Sequence, residues 1–326
     1  MRDERSSQDS AWKEVIHQHF TQFMEFYVPQ LARELDFSRR LEFLDKELKK
    51  LFPGSLSKHR YADLLVKAAL REEPSEVLYL HVEVQGSREK GFARRLFTYA
   101  YRIFERFAAF PVTLVVLTDA DPAFHPSAYT VEGHGREVRV VFQLVKLIYY
   151  RERREELEGS RNLFAAITLM QLDVLEVKER LRKRRCGKQE RVEALYAVKK
   201  RLLTALMRGC LERETDEERI PALVLFLDWL VQLPEAWEDK LSEAVEGETG
   251  GGEKMAYVTS WERRGQREGQ LQGKREILMR LLSRKFSLGT EEKQKILQEE
   301  SLAKLDRALD QIITAATKEE ILKELD

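Results

Sequence analysis

Net charge is what this chain most conspicuously lacks: 56 Lys and Arg cancel 56 Asp and Glu. A strongly basic protein would point to nucleic acid on charge alone, so any such contact here has to come from local basic patches. Cysteine is also scarce. Cys186 and Cys210 stand far apart without nearby Cys or His partners, which excludes a zinc motif and a disulfide framework and fits a reduced interior. The longest apolar stretches, near residues 107–117 and 220–233, are interrupted by Pro111 and Asp228 and are too short to span a bilayer. The opening residues, MRDERSSQDS, carry no apolar core of a signal peptide. These absences predict a cytoplasmic protein with no membrane partner. There are no long repeats and no low-complexity region beyond the Gly-rich stretch Glu246–Glu253, which reads as a flexible linker.

What is present is a chain of 326 residues, 43% apolar and 34% charged. It is long enough for a sizeable core and for more than one unit. Residues 1–50 read as helix: Phe20, Phe23, Tyr27, Leu31 and Leu35 recur at three- and four-residue steps, and Leu41, Leu44 and Leu48 continue them. Pro29 is expected to kink or break the first segment. After Pro53-Gly54-Ser55 the period changes. Arg60–Leu70 and Val77–Gln85 read as two strands joined by the turn Glu72-Glu73-Pro74-Ser75, an antiparallel pair. A helix follows over Lys90–Phe110, with Phe92, Leu96, Tyr99, Ile103 and Phe107 as its apolar stripe. Val112–Leu117 is a continuous apolar run suited to a strand buried on both faces, and Val138–Leu144 reads as one more strand. That order predicts a mixed α/β sheet flanked by helices. From Ser160 to about Leu241 the chain is helical again. The tail from about Met255 is helical too, with a capping box at Thr317 and Glu320.

Asp63, Glu83 and Gln85 are the residues that packing explains least. Asp63 interrupts an apolar strand-like run, and Glu83 and Gln85 share one face of the next strand. Acids are depleted in strands, and a carboxylate in a sheet is costly unless paired or metal-bound. Two converging carboxylates repel, and a divalent cation such as Mg2+ resolves that. The competing reading is a half-exposed sheet in which Glu83 and Gln85 face solvent and Asp63 pairs with Lys67 or Arg60. The spacing alone does not choose between them.

HVEVQGSREKGFARRLFTYAYRIFERF, residues 81–107, resembles the hallmark of the Rpn family of recombination-promoting nucleases, also described as transposase-like proteins of the YhgA-like type. That family belongs to the PD-(D/E)XK nuclease superfamily. The similarity includes residues 26–48 and YADLLVK at 61–67, and extends weakly to FLDWLVQLPE at 226–235. The tail from about residue 270 resembles a helical domain of unknown function found in cyanobacterial proteins. The resemblance implies a restriction-endonuclease-like fold followed by an all-α C-terminal half. It also implies a Mg2+- or Mn2+-dependent endonuclease acting on DNA, in recombination or mobile-element biology. Asp63 and Glu83 match the motif's two acids, and by analogy the Val84 backbone carbonyl is a third metal ligand. Gln85 stands where the superfamily usually has lysine. Glutamine can orient water by hydrogen bonds but brings no charge, so a weakened or inactive nuclease fold, serving as a DNA-binding or assembly module, is the alternative.

Several further expectations follow. Arg88, Lys90, Arg94, Arg95 and Arg102 lie near the site in sequence and are candidates for DNA phosphate contacts, with Arg95, Tyr99 and Arg102 on one helical stripe; a solvated helix face is the plain alternative. The basic run Lys178–Lys188 is dense enough to track a duplex backbone, but reads foremost as a solvated helix end. Glu14, Asp45 and Glu47 are candidates for an extra metal contact. Gly265, Gly269 and Gly273 permit close helix packing, which suggests a homo-oligomer formed through the C-terminal helices. Trp12, Trp229, Trp237 and Trp261 read as packing anchors. The expected organisation is a nuclease-like domain over 1–158, a helical extension over 159–244, a linker over 245–254 and a helical domain over 255–326.

Overall fold

The computed structural model describes residues 11–51, 64–73, 75–184, 186–212, 219–249, 271–286, 288–299, 301–312, 315 and 317–325. The chain divides into two units, Met1–Gly250 and Gly251–Asp326. The boundary falls inside the expected linker, but the linker's first residues are helical. The first unit takes in both the sheet and the helices expected as a separate extension.

Helices α1 (11–18), α2 (Phe20–Tyr27) and α3 (Pro29–Glu34) open the first unit. Pro29 occupies the first turn of α3, where its missing N–H costs nothing, so it divides two helices as expected. The helical reading of residues 1–50 needs one correction. After Asp36, whose carboxylate accepts from the Ser38 backbone and hydroxyl, the chain extends into strand β1 (Glu42–Phe43) before α4 (Asp45–Leu51). An Asx-type turn and pairing with the next strand outweigh the leucine spacing there.

Strands β2 (Leu64–Ala69) and β3 (Val77–Gln85) are antiparallel. Helix α5 (Phe92–Phe107) then crosses to β4 (Val112–Leu117), which lies parallel to β3. Helix α5 stops short of Phe110 because Ala108 turns into the left-handed region and its N–H returns to the Phe104 carbonyl. The expected strand Val138–Leu144 is in fact the end of one strand and the start of another. β5 (Ala128–Gly133) and β6 (Arg136–Val141) form a separate two-stranded sheet, and β7 (Gln143–Lys146) joins the main one, parallel to β4. Phe142 sits between, buried, with its N–H on the Ser127 carbonyl at 2.8 Å. His134 and Gly135 both take positive φ at the hairpin tip, a two-residue loop whose twist matches the strands it joins.

The main sheet is mixed, in the order β1-β2-β3-β4-β7. Leu64, Val66, Leu80, Val82, Leu114 and Val116 are buried on one face, and Leu65, Tyr79, Val115 and Leu117 on the other. Burial on both faces explains why β4 reads as an unbroken apolar run. After a 3-10 segment (Leu147–Arg153) and α6 (Arg154–Gly159) come α7 (Leu163–Arg184), α8 (Lys188–Glu212), α9 (Arg219–Leu230) and α10 (Glu235–Thr249). They share a core with the N-terminal helices. Trp12 packs edge-on against Phe226 of α9 at 5.3 Å, lies beside Phe164 of α7, and donates to Gln171. Among the described residues, no helix is long and apolar enough to cross a membrane.

Tyr27 is locked to α7 by a hydroxyl contact with Thr168 at 2.7 Å. Thr168 spends its single proton on the Phe164 carbonyl, so Tyr27 is the donor. Burial pushes the Tyr27 hydroxyl far above its ordinary value, which keeps that proton in place. Tyr27→Phe is expected to lower unfolding stability by about 1 kcal/mol, readable as a shift in denaturant midpoint at constant slope.

The second unit comprises α11 (271–285), α12 (Thr290–Gln298), α13 (Leu302–Gln311), α14 (Lys318–Leu322) and a final 3-10 turn (Lys323–Leu325). Leu278, Leu282, Ile296, Leu305, Ala308 and Ile321 form its core. Thr317 caps α14 by accepting from the Glu320 N–H, one half of the expected capping box. Gly273 lies in α11; Gly265 and Gly269 are outside the described residues.

Candidate functional site

Alternation along β3 turns Tyr79, His81, Glu83 and Gln85 to one side, and α5 covers that side residue by residue. Tyr79 stacks on Phe107 at 4.7 Å, and His81 meets Tyr99 edge-on at 5.2 Å. Arg95, one turn earlier on α5, reaches both Glu83 and Gln85. Its Nη1 lies 2.7 Å from Glu83 Oε1, and its Nη2 donates to Gln85 Oε1 at 3.1 Å and to Glu89 Oε2 at 3.1 Å. The guanidinium also sits 5.0 Å from the Phe92 ring centre. Gln85 is fixed at its other end by its Nε2, which donates to the Ser87 carbonyl at 2.7 Å.

Glu83 is only 2% exposed. It is therefore not a solvent-facing residue of a half-exposed sheet. Burying a carboxylate requires a charged or hydrogen-bonding partner, and Arg95 is one. Lys67, considered as a partner for Asp63, is bonded to Glu42 at 3.1 Å. Asp63 lies outside the described residues, as does Arg60. Its neighbour Leu64 opens β2 directly opposite Val82, so the described β2 pairing stops one residue short of Glu83. Val84 is in register with Val116 of β4 and is buried.

Of the basic residues expected to meet phosphate, Arg95 is committed to Glu83, Gln85 and Glu89, and Arg102 donates to the Leu51 carbonyl at 2.5 Å. The stripe they share with Tyr99 faces inward, not solvent. Arg88, Lys90 and Arg94 are exposed, and Arg88 approaches Asp121 at 3.5 Å. Asp45 pairs with Lys13 at 2.9 Å and accepts from the Leu65 backbone, while Glu47 is half-buried and Glu14 bonds Gln18. Arg182, Lys183 and Arg184 form the exposed last turn of α7, where cations complement the helix dipole. Among the described residues, no three His, Cys, Asp or Glu side chains are grouped as a metal site.

The parallel strands β3, β4 and β7 all end on the same side of the sheet. Sequence reasoning missed what stands there. Lys146, the last residue of β7, places Nζ 2.8 Å from both carboxylate oxygens of Asp119 and 3.2 Å from the Phe124 carbonyl. Both side chains are buried. The sequence signal was a charged residue ending β7 and another two residues past the end of β4. The connection from β4 begins with the Thr118 N–H bonded to the Gln85 carbonyl at 3.0 Å, which ties the end of β4 to the site.

No family model matches the chain, and neither the curated proteins nor the solved structures contain a match.

Proposed function

We propose that this chain is a metal-dependent endodeoxyribonuclease of the PD-(D/E)XK type, within the Rpn family. The supporting observation is the placement of Glu83 and Gln85. They share the helix-facing side of β3, just past its described pairing with β2 and at the carboxyl end of the parallel strands. Ligands of open α/β sheets collect at such ends. The order antiparallel pair, helix, parallel strand is also what a restriction-endonuclease-like core requires.

In this reading Asp63, Glu83 and the Val84 carbonyl hold Mg2+ or Mn2+. The buried Glu83 carboxylate offers oxygen donors suited to such an ion, and Asp63 would supply a second carboxylate. The bound ion supplies Lewis-acid polarisation of the phosphodiester and its attacking water. Gln85, held between Arg95 and Ser87, orients that water through its amide. The charge that lysine would bring is supplied beside it by Arg95, 3.1 Å from Gln85 Oε1. The exposed Arg88 and Lys90 contact the DNA backbone.

One observation favours the alternative, a nuclease-fold protein that binds or assembles without cleaving: Arg95 already neutralises Glu83. Plasmid nicking separates the two. Wild type with Mg2+ or Mn2+ is expected to nick DNA, and Asp63→Ala and Glu83→Ala to lose at least about 100-fold of that rate. Absence of nicking by wild type with either metal, or equal nicking by all three proteins, rejects the enzyme.

A further inference from the structure

Helix α5 has a second apolar face, turned away from the sheet. Tyr101 is 49% exposed and Phe104 39%. Phe104 stacks on Phe110, itself 54% exposed, at 4.3 Å. One turn before Tyr101, Phe97 stacks on Tyr129 of the β5–β6 hairpin at 4.9 Å. On the same strand face, Val131 and its cross-strand partner Val138 are 48% and 44% exposed. Aromatic side chains carry about 150–250 Å2 each, so these five exposed residues present roughly 400 Å2 of surface. That is about half of the ~800 Å2 each partner contributes to a standard interface. A polar margin would supply the remainder, as in interfaces generally.

The charges along this face are ordered. At 100° per residue, Arg94, Tyr101 and Glu105 fall within about 40° of one another, on the line opposite the buried stripe. Arg94 and Glu105 are exposed and make no ion pair among the described residues. They are eleven residues apart, about 16 Å along the axis, too far to meet within one helix.

We infer that this face binds a second copy of the chain, with the two α5 helices antiparallel across a twofold axis near residues 99 and 100. That arrangement sets Arg94 against the partner's Glu105 and Glu105 against the partner's Arg94, with Tyr101 and the flanking aromatics between. A parallel pairing would oppose Arg94 to its own copy. A nucleic-acid backbone would meet the like charge of Glu105 on the strip. The interface is independent of whether the site cleaves DNA.

Sedimentation of the full chain at micromolar concentration tests this, with thermal melts to confirm folding. Wild type is expected to be dimeric. Arg94→Glu and Glu105→Arg each act twice by symmetry and are expected to weaken the dimer at least about 30-fold. Each exposed substitution should leave the melting temperature of the monomeric fold unchanged. The double variant Arg94→Glu/Glu105→Arg is expected to recover to within about threefold of wild type. A monomeric wild type, a dimer indifferent to both single changes, or a double variant no better than the singles overturns the inference.

Discussion

Lys146→Met is expected to destabilise the first unit by about 3–5 kcal/mol. Lys146 is 2% exposed and Asp119 7%. Methionine fills a similar volume but removes every donor, leaving Asp119 with the Asp121 N–H at 2.8 Å as its remaining bond. A buried carboxylate stripped of its cation keeps its desolvation cost without the attraction that offset it. Because the Phe124 carbonyl loses the same donor, the connection after β4 is expected to loosen beside Gln85. Equilibrium urea unfolding measures the loss, and hydrogen exchange at residues 118–124 reports its location. A change under about 1 kcal/mol would show that the pair is not structural. The joint variant Asp119→Leu/Lys146→Met is expected to recover most of the loss, since replacing both partners avoids the orphaned charge.

The second large effect is expected at Lys199, a 1% exposed lysine on α8. It joins α9 and α10 through Asp228 at 3.0 Å and Glu238 at 2.7 Å. Lys199→Met leaves two carboxylates facing each other. Both are partly exposed, at 25% and 35%, so water screens some of the penalty and about 2–4 kcal/mol is expected. The deficit should depend on pH. Burial raises the Asp228 pKa foremost, Lys199 opposes that, and Glu238 adds to the rise. Removing Lys199 leaves only the raising influences. The folded variant then binds a proton more tightly at Asp228 than the unfolded chain does, so its stability falls as pH rises from the ordinary carboxylate range through the raised value. The gap to wild type should narrow as pH drops from 7 towards 5. A gap that is flat or widens on acidification contradicts the assignment.

Legibility in the sequence followed the range of the interaction. β3 and β4 lie where alternation and an unbroken apolar run place them, since each is decided by its own side chains. Strand β5 was missed, and β6 was merged with β7, although Gly133-His134-Gly135 signals a tight turn, because both hairpin strands are short and mostly exposed. β1 was hidden by leucines at helical spacing. It is two residues long and exists only through pairing with Lys67 and Val66 of β2.

The same division holds at the candidate site. Local residue types and strand period determined by themselves that Glu83 and Gln85 share a face and that a helix separates them from a buried strand. Only the tertiary structure decided that this face is closed by α5, that Glu83 is buried, and that Arg95 holds both residues. Helical spacing put Arg95, Tyr99 and Arg102 on one stripe but could not say whether that stripe meets solvent or sheet. Which charge faces which depends on how α5 packs across the sheet, and the Asp119–Lys146 pair spans 27 residues. A carboxylate's partner is chosen by three-dimensional proximity in a low-dielectric interior, and no local pattern encodes that.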